Sequence, residues 1–258
     1  MKVLFIGDIV GPQATAYVAA RLPVLRRELA LDLVIANGEN CAITSGEPWT
    51  GFGLTSALLE HLLASGVDVI TTGNHGWEGP DAATVHSHPR VLRPANVPDT
   101  MPGKGALTLD VAGEPVTIVN LAGERGVIRE AQPVWPAWQS IERQGTVIVD
   151  FHGDSAWEKM TFATAVDGTV AAVLGTHTHE ATCLLHLLPG GTAFVADVGM
   201  TAPLGSPGGF PLTHFAAKYA GQDWRALPPF ALSDGPVTLG AVCLTIEGDR
   251  TVAIERIV

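Results

Sequence analysis

Short apolar runs alternate with stretches of helical periodicity through the first 90 residues of the chain. The apolar runs lie at residues 2–8, 31–36 and 67–71, and the helical stretches lie at residues 14–30 and 54–64. A strand followed by a helix and then by another strand predicts right-handed βαβ crossovers. Such a chain forms a largely parallel sheet with helices on both faces, so the alternation predicts an α/β protein.

The second half of the chain predicts a mixed sheet. Residues 105–111 and 115–121 are apolar runs separated by Gly113 and Glu114, which predicts an antiparallel hairpin. Residues 199–236 are rich in Gly and Pro and are expected to be irregular, as long functional loops often are. We expect one domain over residues 1–258. The other predicted elements are helices at 135–143 and 156–165 and strands at 146–151, 170–174, 192–198, 239–246 and 251–257.

Composition and charge disfavour several classes of protein. With 47% hydrophobic and 16% charged residues, the 258-residue chain can bury a sizeable core. A formal net charge of −11 disfavours polymeric nucleic acid and anionic membrane surfaces as partners. No apolar run approaches the ~20 residues that span a bilayer, and the first residues do not resemble a signal peptide, so we expect a cytoplasmic protein. Cys41, Cys183 and Cys243 are expected to be small core residues.

Polar residues that can bind metals follow five of the predicted strands. In open α/β sheets the carboxyl ends of the strands line the ligand crevice, so these residues are expected to converge there. Carboxylate, amide and imidazole groups bind divalent first-row metals, and a carboxylate such as Glu39 can bridge two ions. The five clusters are Gly7-Asp8, Asn37-Gly38-Glu39-Asn40, Gly73-Asn74-His75, Asp150-Phe151-His152 and Gly175-Thr176-His177-Thr178-His179.

Most of these residues have an alternative interpretation when they are taken alone. Asp8 could cap a helix, or it could handle a ribose or phosphate group in another α/β enzyme. Asn74 and His75 could belong to an ordinary turn, and His152 could be a buried core histidine. The metal site is favoured because all five clusters occur together.

His177 and His179 are harder to explain without a metal. The strand period of two points both side chains to one face, about 6–7 Å apart along the strand, which suits two ions rather than one. The remaining histidines do not follow predicted strands and are interpreted as ordinary residues; they are His61, His86, His88, His186 and His214.

Seven short motifs occur in a fixed order along the chain. They are GDIVG at residues 7–11, NGEN at 37–40, GNH at 73–75, RPAN at 93–96, DFH at 150–152, GTHTH at 175–179 and DVGMT at 197–201. With these motifs the chain resembles the calcineurin-like metallophosphoesterases and, within them, the YmdB-like bacterial phosphoesterases. The resemblance covers nearly the whole chain. It implies a layered α/β/β/α sandwich with mixed central sheets and a metal site at the carboxyl ends of the strands.

The resemblance also implies two metal ions, iron or manganese, that share Glu39. The first ion would take Asp8, Glu39, Asn40 and His179. The second would take Glu39, Asn74, His152 and His177. The wider superfamily usually has a histidine two residues after the first aspartate, where this chain has Val10, so Asn40 would supply the missing ligand.

The reaction that the resemblance implies is hydrolysis of small organic phosphates, with 2′,3′-cyclic nucleotides as the expected substrates. A hydroxide bridging the two ions would attack phosphorus, and His75 would protonate the leaving oxygen as the general acid. Trp49, Phe52 and Phe210 are candidates for stacking on a base, although each is more often a packing residue. Residues 42–50 depart from the usual family loop and are expected to reshape the mouth of the site.

Two other functions fit the sequence less well. A nuclease of the same fold would need a basic groove, which the acidic composition disfavours. A metal-binding or nucleotide-binding regulatory module would keep the ligands and show little turnover. Dinucleotide or ATP-dependent chemistry is not expected, because neither GxGxxG nor GxxxxGK[ST] follows the first strand. The sequence leaves formation of a homo-oligomer open.

Overall fold

The computed structural model describes residues 1–44, 52–124, 127–205, 207–209 and 212–257. Within these ranges the chain forms two six-stranded sheets, a two-stranded ribbon and six α-helices. Strands and helices are numbered separately in chain order. The helices are α1 (Gly11–Leu29), α2 (Ser56–Ser65), α3 (Ala82–Ser87), α4 (Val134–Ser140), α5 (Ala156–Ala165) and α6 (Thr213–Tyr219).

The first sheet contains the predicted βαβ units. In spatial order its strands are β14 (Arg250–Ile257), β13 (Ala241–Glu247), β1 (Lys2–Ile6), β2 (Leu33–Asn37), β3 (Val69–Thr71) and β4 (Val91–Leu92). Strands β1 to β4 are parallel, and β13 pairs antiparallel with both β1 and β14. The crossovers run through α1, α2 and α3. The predicted alternation is therefore confirmed, with a mixed edge added by the end of the chain.

The second sheet is mixed, as the hairpin predicted. In spatial order its strands are β5 (Ala106–Val111), β6 (Glu114–Ala122), β7 (Thr146–His152), β8 (Ala172–Thr176), β10 (Ala193–Val195) and β9 (His186–Leu187). Strands β6, β7, β8 and β10 are parallel, whereas β5 and β9 pair antiparallel at the two edges. Strand β10 is shorter than the predicted strand at residues 192–198, because the chain turns away from the sheet before Asp197.

The two sheets pack face to face and each is covered by helices on its outer side. Strand β1 shows why, since Val3 and Phe5 belong to the core between the sheets, whereas Leu4 and Ile6 pack with the helices outside. Helix α1 contributes buried residues spaced three or four apart, and the second sheet packs against α4 and α5 in the same way. The predicted α/β/β/α layering is confirmed.

The Gly-rich and Pro-rich segment at residues 199–236 is less irregular than expected. Its described residues include β11 (Ala202–Pro203), which pairs with β12 (Val237–Thr238), and helix α6. A small apolar cluster holds this segment against the rest of the molecule. Its buried members are Val10, Ile43, Phe52, Ala202 and Phe230.

Two smaller expectations have definite outcomes. Cys41 and Cys243 are buried, but Cys183 is exposed, because it lies on the loop between β8 and β9 rather than in a strand. The expectation for Cys183 was therefore wrong. Among the residues described here, no helix combines the length and the apolar character needed to cross a bilayer.

Candidate metal centre

The polar residues that follow the strands meet at one edge of the two sheets. Four of them are almost completely buried: the relative exposure is 0% for Asp8 and His152, 1% for Glu39 and 2% for Asn40. Asp8, Glu39 with Asn40, and Asn74 with His75 follow β1, β2 and β3, while His152 ends β7 and His177 and His179 follow β8. The structure thus brings all the residues of the predicted site together from both sheets.

One group of donor atoms surrounds His152. Its Nε2 lies 2.9 Å from Asn74 Oδ1 and 3.2 Å from Glu39 Oε1. His177 Nδ1 lies 3.1 Å from the same nitrogen. One donor atom from each of Glu39, His152 and His177 falls within 4.8 Å of the others, a spacing compatible with binding one ion. These are the side chains, with Asn74, that the family resemblance implies for a second ion.

A second group contains Asp8, Asn40 and His179. His179 Nε2 lies 3.0 Å from Asn40 Nδ2 and 3.7 Å from Asp8 Oδ1. The two groups are linked through Asp8, because its Oδ2 accepts a hydrogen bond of 3.1 Å from the main-chain N–H of His177. Asp8 does not cap α1, whose N-cap residue is Val10, so the structure does not support that alternative.

Each histidine of the site has one ring nitrogen held by an oxygen of the chain. His152 Nδ1 pairs with Thr176 Oγ1 at 2.9 Å, and His177 Nε2 lies 3.0 Å from Asp154 Oδ1. His179 Nδ1 pairs with the carbonyl oxygen of Gly208 at 3.0 Å. A histidine held in this way has its ring orientation set and its other nitrogen available to a metal.

A buried carboxylate supports His152 from behind. Thr176 Oγ1 donates to Asp150 Oδ1 at 2.6 Å, so this hydroxyl accepts from His152 and passes the hydrogen bond on to Asp150. Asp150 also accepts from Thr71 Oγ1 at 2.5 Å and from Asn37 Nδ2 at 3.1 Å. Burial, which opposes the charged carboxylate, raises the pKa of Asp150 to about 6.

The backbone of the histidine loop differs from the prediction. Strand β8 ends at Thr176, and the φ angles of His177 and His179 are 99° and 66°, in the left-handed region. These conformations cost roughly 1–2 kcal/mol for a residue with a side chain. The expectation that strand alternation points both imidazoles to one face was wrong, because the Thr-His-Thr-His alternation belongs to a turn. Two left-handed residues aim the imidazoles instead.

Gly73 explains how the donors approach so closely. A Cβ atom at this position would lie 2.1 Å from His152 Nε2 and 2.3 Å from Glu39 Oε2. Any side chain here would collide with the donor atoms themselves, so only glycine fits.

The charge on each donor shifts the pKa of its neighbours. Burial alone would raise the pKa of Glu39, but the charge and hydrogen bond of His152 hold it well below its ordinary value. Burial also opposes a proton on His152, yet the Glu39 carboxylate raises the pKa of His152 to about 9. Burial and then the charge of His152 lower the pKa of His177. In the metal-free chain, therefore, a protonated His152 compensates part of the acidic charge of the pocket.

Two buried oxygens show that these residues fit a bound cation. Asp8 Oδ1 and Asn40 Oδ1 are buried and accept no hydrogen bond from the described residues. A buried oxygen without a donor is costly unless a water or an ion satisfies it. Oxygen and imidazole donors of this kind bind divalent first-row metals, and they differ from the cysteine ligands of structural zinc sites.

His75 lies beside the donors and has a partner that the sequence did not reveal. Its Nδ1 lies 2.8 Å from Glu78 Oε1, and its ring stacks on Phe52 with centroids 4.2 Å apart. Burial opposes a proton on His75, but the hydrogen bond to Glu78 and the charges of Glu39 and Glu78 raise its pKa overall. Phe52 is thus a packing partner of His75, while Trp49 and Phe210 lie outside the described residues.

A pocket of about 350 Å³ opens over the donors. Its walls include Glu39, Asn40, His75, His177 and His179, together with Leu212 and Phe215 from the segment around α6. Sequence reasoning missed Asp154 and Glu78, although each lies within three residues of a predicted site residue. Asp154 and Glu78 could have been predicted from their closeness in sequence to a predicted metal ligand and to the predicted general acid.

Comparisons with known proteins agree with this arrangement. The profile of the YmdB-like protein family matches residues 4–257. A 2′,3′-cyclic-nucleotide 2′-phosphodiesterase of Bacillus subtilis (strain 168) is 34% identical over 265 residues, covering 100% of this chain and 96% of the relative.

Two crystal structures also superpose on the whole chain. A hypothetical protein from Thermus thermophilus is 35% identical with a TM-score of 0.86, covering 100% of this chain and 98% of that one. A novel phosphatase from Mycoplasma pneumoniae is 28% identical with a TM-score of 0.89, covering 100% of this chain and 92% of that one. On the evidence of its motifs, its layers and these similarities over its full length, the chain belongs to the YmdB-like family.

Proposed function

We propose that this chain is a metal-dependent phosphodiesterase that hydrolyses 2′,3′-cyclic nucleotides through a centre of two metal ions. The convergence of seven potential ligands at one edge of the two sheets, with two buried oxygens that accept no hydrogen bond from the described residues, carries the proposal. The class of reaction is phosphoric ester hydrolysis, as in its phosphodiesterase and phosphatase relatives. The cyclic nucleotide is inferred from the Bacillus subtilis relative, whose name specifies that substrate.

Two sets of residues would hold the ions. Bound ions of this kind lower the pKa of water and offset the negative charge that develops on a phosphoryl group. Asp8, Asn40 and His179 would form one set, and Asn74, His152 and His177 the other. Glu39 would serve both sets, because its Oε1 lies 3.2 Å from His152 Nε2 and its side chain lines the same pocket as Asn40 and His179.

His75 would supply the proton that the leaving oxygen needs. Its Nδ1 is engaged by Glu78, which leaves Nε2 as the nitrogen able to meet the substrate. The raised pKa keeps the ring protonated closer to neutral pH, which a general acid requires. The stack on Phe52 limits rotation of the ring, so the proton is presented from a fixed position.

The pocket suits a small phosphate ester better than a polymer. At about 350 Å³ it lies at the lower end of the size range of small-molecule sites, and Leu212 and Phe215 give it an apolar wall. A nuclease would need a basic surface for successive phosphates, whereas the chain carries a net charge of −11. The substrate would therefore be held by the metal centre and the pocket walls.

A substrate panel tests this proposal. Protein loaded with Mn²⁺ or Fe²⁺ is assayed against 2′,3′-cyclic nucleotides, 3′,5′-cyclic nucleotides, linear dinucleotides, phosphomonoesters and single-stranded RNA. We expect the highest kcat/KM for a 2′,3′-cyclic nucleotide. Faster cleavage of RNA would identify a nuclease, and binding of nucleotide without hydrolysis by metal-loaded protein would identify a regulatory module.

A further inference from the structure

A buried lysine lies behind the loop that carries His177 and His179. Lys159, on α5, is 1% exposed and its ammonium group is enclosed by protein. Its Nζ donates to the carbonyl oxygen of Thr176 at 2.8 Å and to Asp197 Oδ2 at 3.3 Å. A lysine is almost never fully buried unless it is paired, and Asp197 is the partner of this one. The question is what the buried pair does.

Asp197 extends the pairing to the middle of the loop. Its Oδ2 accepts from the Thr178 main-chain N–H at 3.0 Å and from Thr178 Oγ1 at 2.8 Å. Its Oδ1 accepts from the Gly199 N–H at 2.8 Å. Thr178 lies between the two histidines, so one carboxylate fixes the residue that both of them flank.

Gly175 allows the lysine to reach this position. A Cβ atom at Gly175 would lie 2.9 Å from Lys159 Cδ and 1.9 Å from the carbonyl oxygen of Ala196. The lysine stem therefore runs directly beneath the start of the loop. Lys159 holds Thr176 and Asp197 holds Thr178, and these residues stand on either side of His177.

Stability alone is a poor reason for such a pair. Desolvation of two charges consumes much of their mutual attraction, and well-packed apolar residues often replace a buried ion pair without loss of stability. Hydrogen bonds to charged groups are, however, short and directional, and they hold geometry well. The backbone that they hold here includes His177 and His179, whose φ angles lie in the left-handed region. Without these hydrogen bonds the loop would move to a less strained conformation.

We propose that Lys159 and Asp197 are positioning residues, whose buried ion pair holds the loop at residues 175–179 so that His177 and His179 face the metal pocket. The proposal rests on the proposed function in one respect, because it takes the two histidines to be metal ligands. In this proposal neither Lys159 nor Asp197 contacts the metal ions or the substrate.

The test uses single and double variants of the full chain. Lys159→Met keeps the stem and removes the charge, and Lys159→Met with Asp197→Asn also removes the charge left without a partner. Arg26→Met is the matched control, since it breaks the part-buried Arg26–Asp68 ion pair between α1 and the residue before β3. Thr178→Val removes the hydroxyl bond to Asp197, together with the 3.4 Å bond that this hydroxyl accepts from the Glu180 N–H, and it serves if Lys159→Met does not fold.

Three measurements are made on each variant. Amide hydrogen exchange of Thr178 and Gly199 is followed in metal-free protein, Mn²⁺ affinity is measured by calorimetry, and thermal unfolding reports stability. We expect faster exchange at Thr178 and a 10- to 100-fold weaker Mn²⁺ affinity for both Lys159 variants, the range for loss of a residue that orients a ligand. Thr178→Val should change both quantities in the same direction by less. Arg26→Met should lower the unfolding temperature and leave both quantities unchanged.

The double variant decides between positioning and simple support. If it recovers stability but not Mn²⁺ affinity, the pair positions the loop. Recovery of wild-type Mn²⁺ affinity and wild-type exchange at Thr178 would overturn the proposal. If the wild-type chain binds no Mn²⁺, the proposed function fails, and the exchange rates of metal-free protein still decide whether the pair holds the loop.

Discussion

The two ends of the sheets present very different surfaces. At the end opposite the metal centre a cavity of about 650 Å³ is lined by Met1, Asp32, Thr146 and Asp249, among others, whereas the pocket over the metal centre measures about 350 Å³. Judged by volume alone, the opposite end would be the better candidate for a functional site. The hydrogen bonds of the carboxylates at the two ends lead to the other conclusion.

Carboxylates at the opposite end are satisfied by neighbouring groups. Asp32 Oδ2 accepts from the Lys2 N–H at 2.7 Å, and Asp249 Oδ1 accepts from Thr146 Oγ1 at 3.2 Å. At the metal centre, Asp8 Oδ1 is buried and accepts no hydrogen bond from any residue that the structure describes, and Glu39 pairs with a protonated histidine. The comparison teaches that buried oxygens without a hydrogen-bond donor, and not cavity size, mark the reactive end of this molecule.

The largest effect is expected at Glu39. Glu39→Gln keeps the shape of the side chain and removes the charge that both metal sets would share. We expect kcat/KM for bis-p-nitrophenyl phosphate to fall by at least about 10³-fold, because several kcal/mol of metal-dependent stabilisation would be lost. Metal content by mass spectrometry should fall in the same preparation.

Asp32→Asn is the matched control at the opposite end. Asparagine retains an oxygen that can accept from the Lys2 N–H, so activity and metal content should stay within about twofold of the wild type. Comparable losses in the two variants would contradict the distinction between the two ends.

The second prediction concerns His75, which is proposed to act as the general acid and not as a metal ligand. His75→Ala should retain the metal content of the wild type and lose about 10²-fold or more in kcat, the usual range for removal of a general acid. His61→Ala, at an exposed position on α2, is the control and should leave kcat unchanged. A His75→Ala variant with normal turnover would remove this residue from the mechanism.

The layers and the strand ends could be predicted from the sequence because burial imposes a simple pattern. Strand β7 has an apolar run, Val147 to Val149, before the polar residues that reach the site, and the predicted strand at residues 146–151 and the observed Thr146–His152 nearly coincide. The same logic located Asp8 and Glu39, because five clusters of such residues directly follow predicted strands and were expected to meet at one edge of the sheet. Local pattern was sufficient for these features.

Contacts between distant residues could not be predicted in this way. Lys159 and Asp197 are 38 residues apart and meet only through the packing of α5 against the second sheet. The left-handed turn at His177 was also missed, because alternating polar residues after an apolar run look like a continuing strand. The periodicity of a sequence indicates which residues are buried. It carries little information about the sign of a φ angle or about contacts between residues far apart in the chain.

The third prediction is a pH dependence that only the metal centre should show. His152 has a pKa raised to about 9, so below that pH it carries a proton that must leave before the nitrogen can bind a metal. Mn²⁺ affinity should therefore rise about tenfold per pH unit between about pH 6.5 and 8. This window lies above the pKa of Asp150, about 6, and so avoids its titration.

Calorimetry in two buffers of different ionisation enthalpy measures the protons released on binding. We expect about one proton to be released per protein molecule when the first Mn²⁺ ion binds. The Asp32→Asn variant should release the same number of protons. An affinity independent of pH across this window would show that His152 is already neutral in the metal-free chain.

The smallest effect is expected at Thr146, at the end opposite the metal centre. Its hydroxyl donates to Asp249 Oδ1 at 3.2 Å and lies 3.3 Å from the Gly248 carbonyl oxygen, which ties the start of β7 to the turn between β13 and β14. Thr146→Val should lower the free energy of unfolding in urea by about 1 kcal/mol, the usual net value of one hydrogen bond. Because this contact joins the two sheets far from the donors, kcat and Mn²⁺ affinity should not change. A variant that lost metal affinity without losing stability would show that the two ends are coupled.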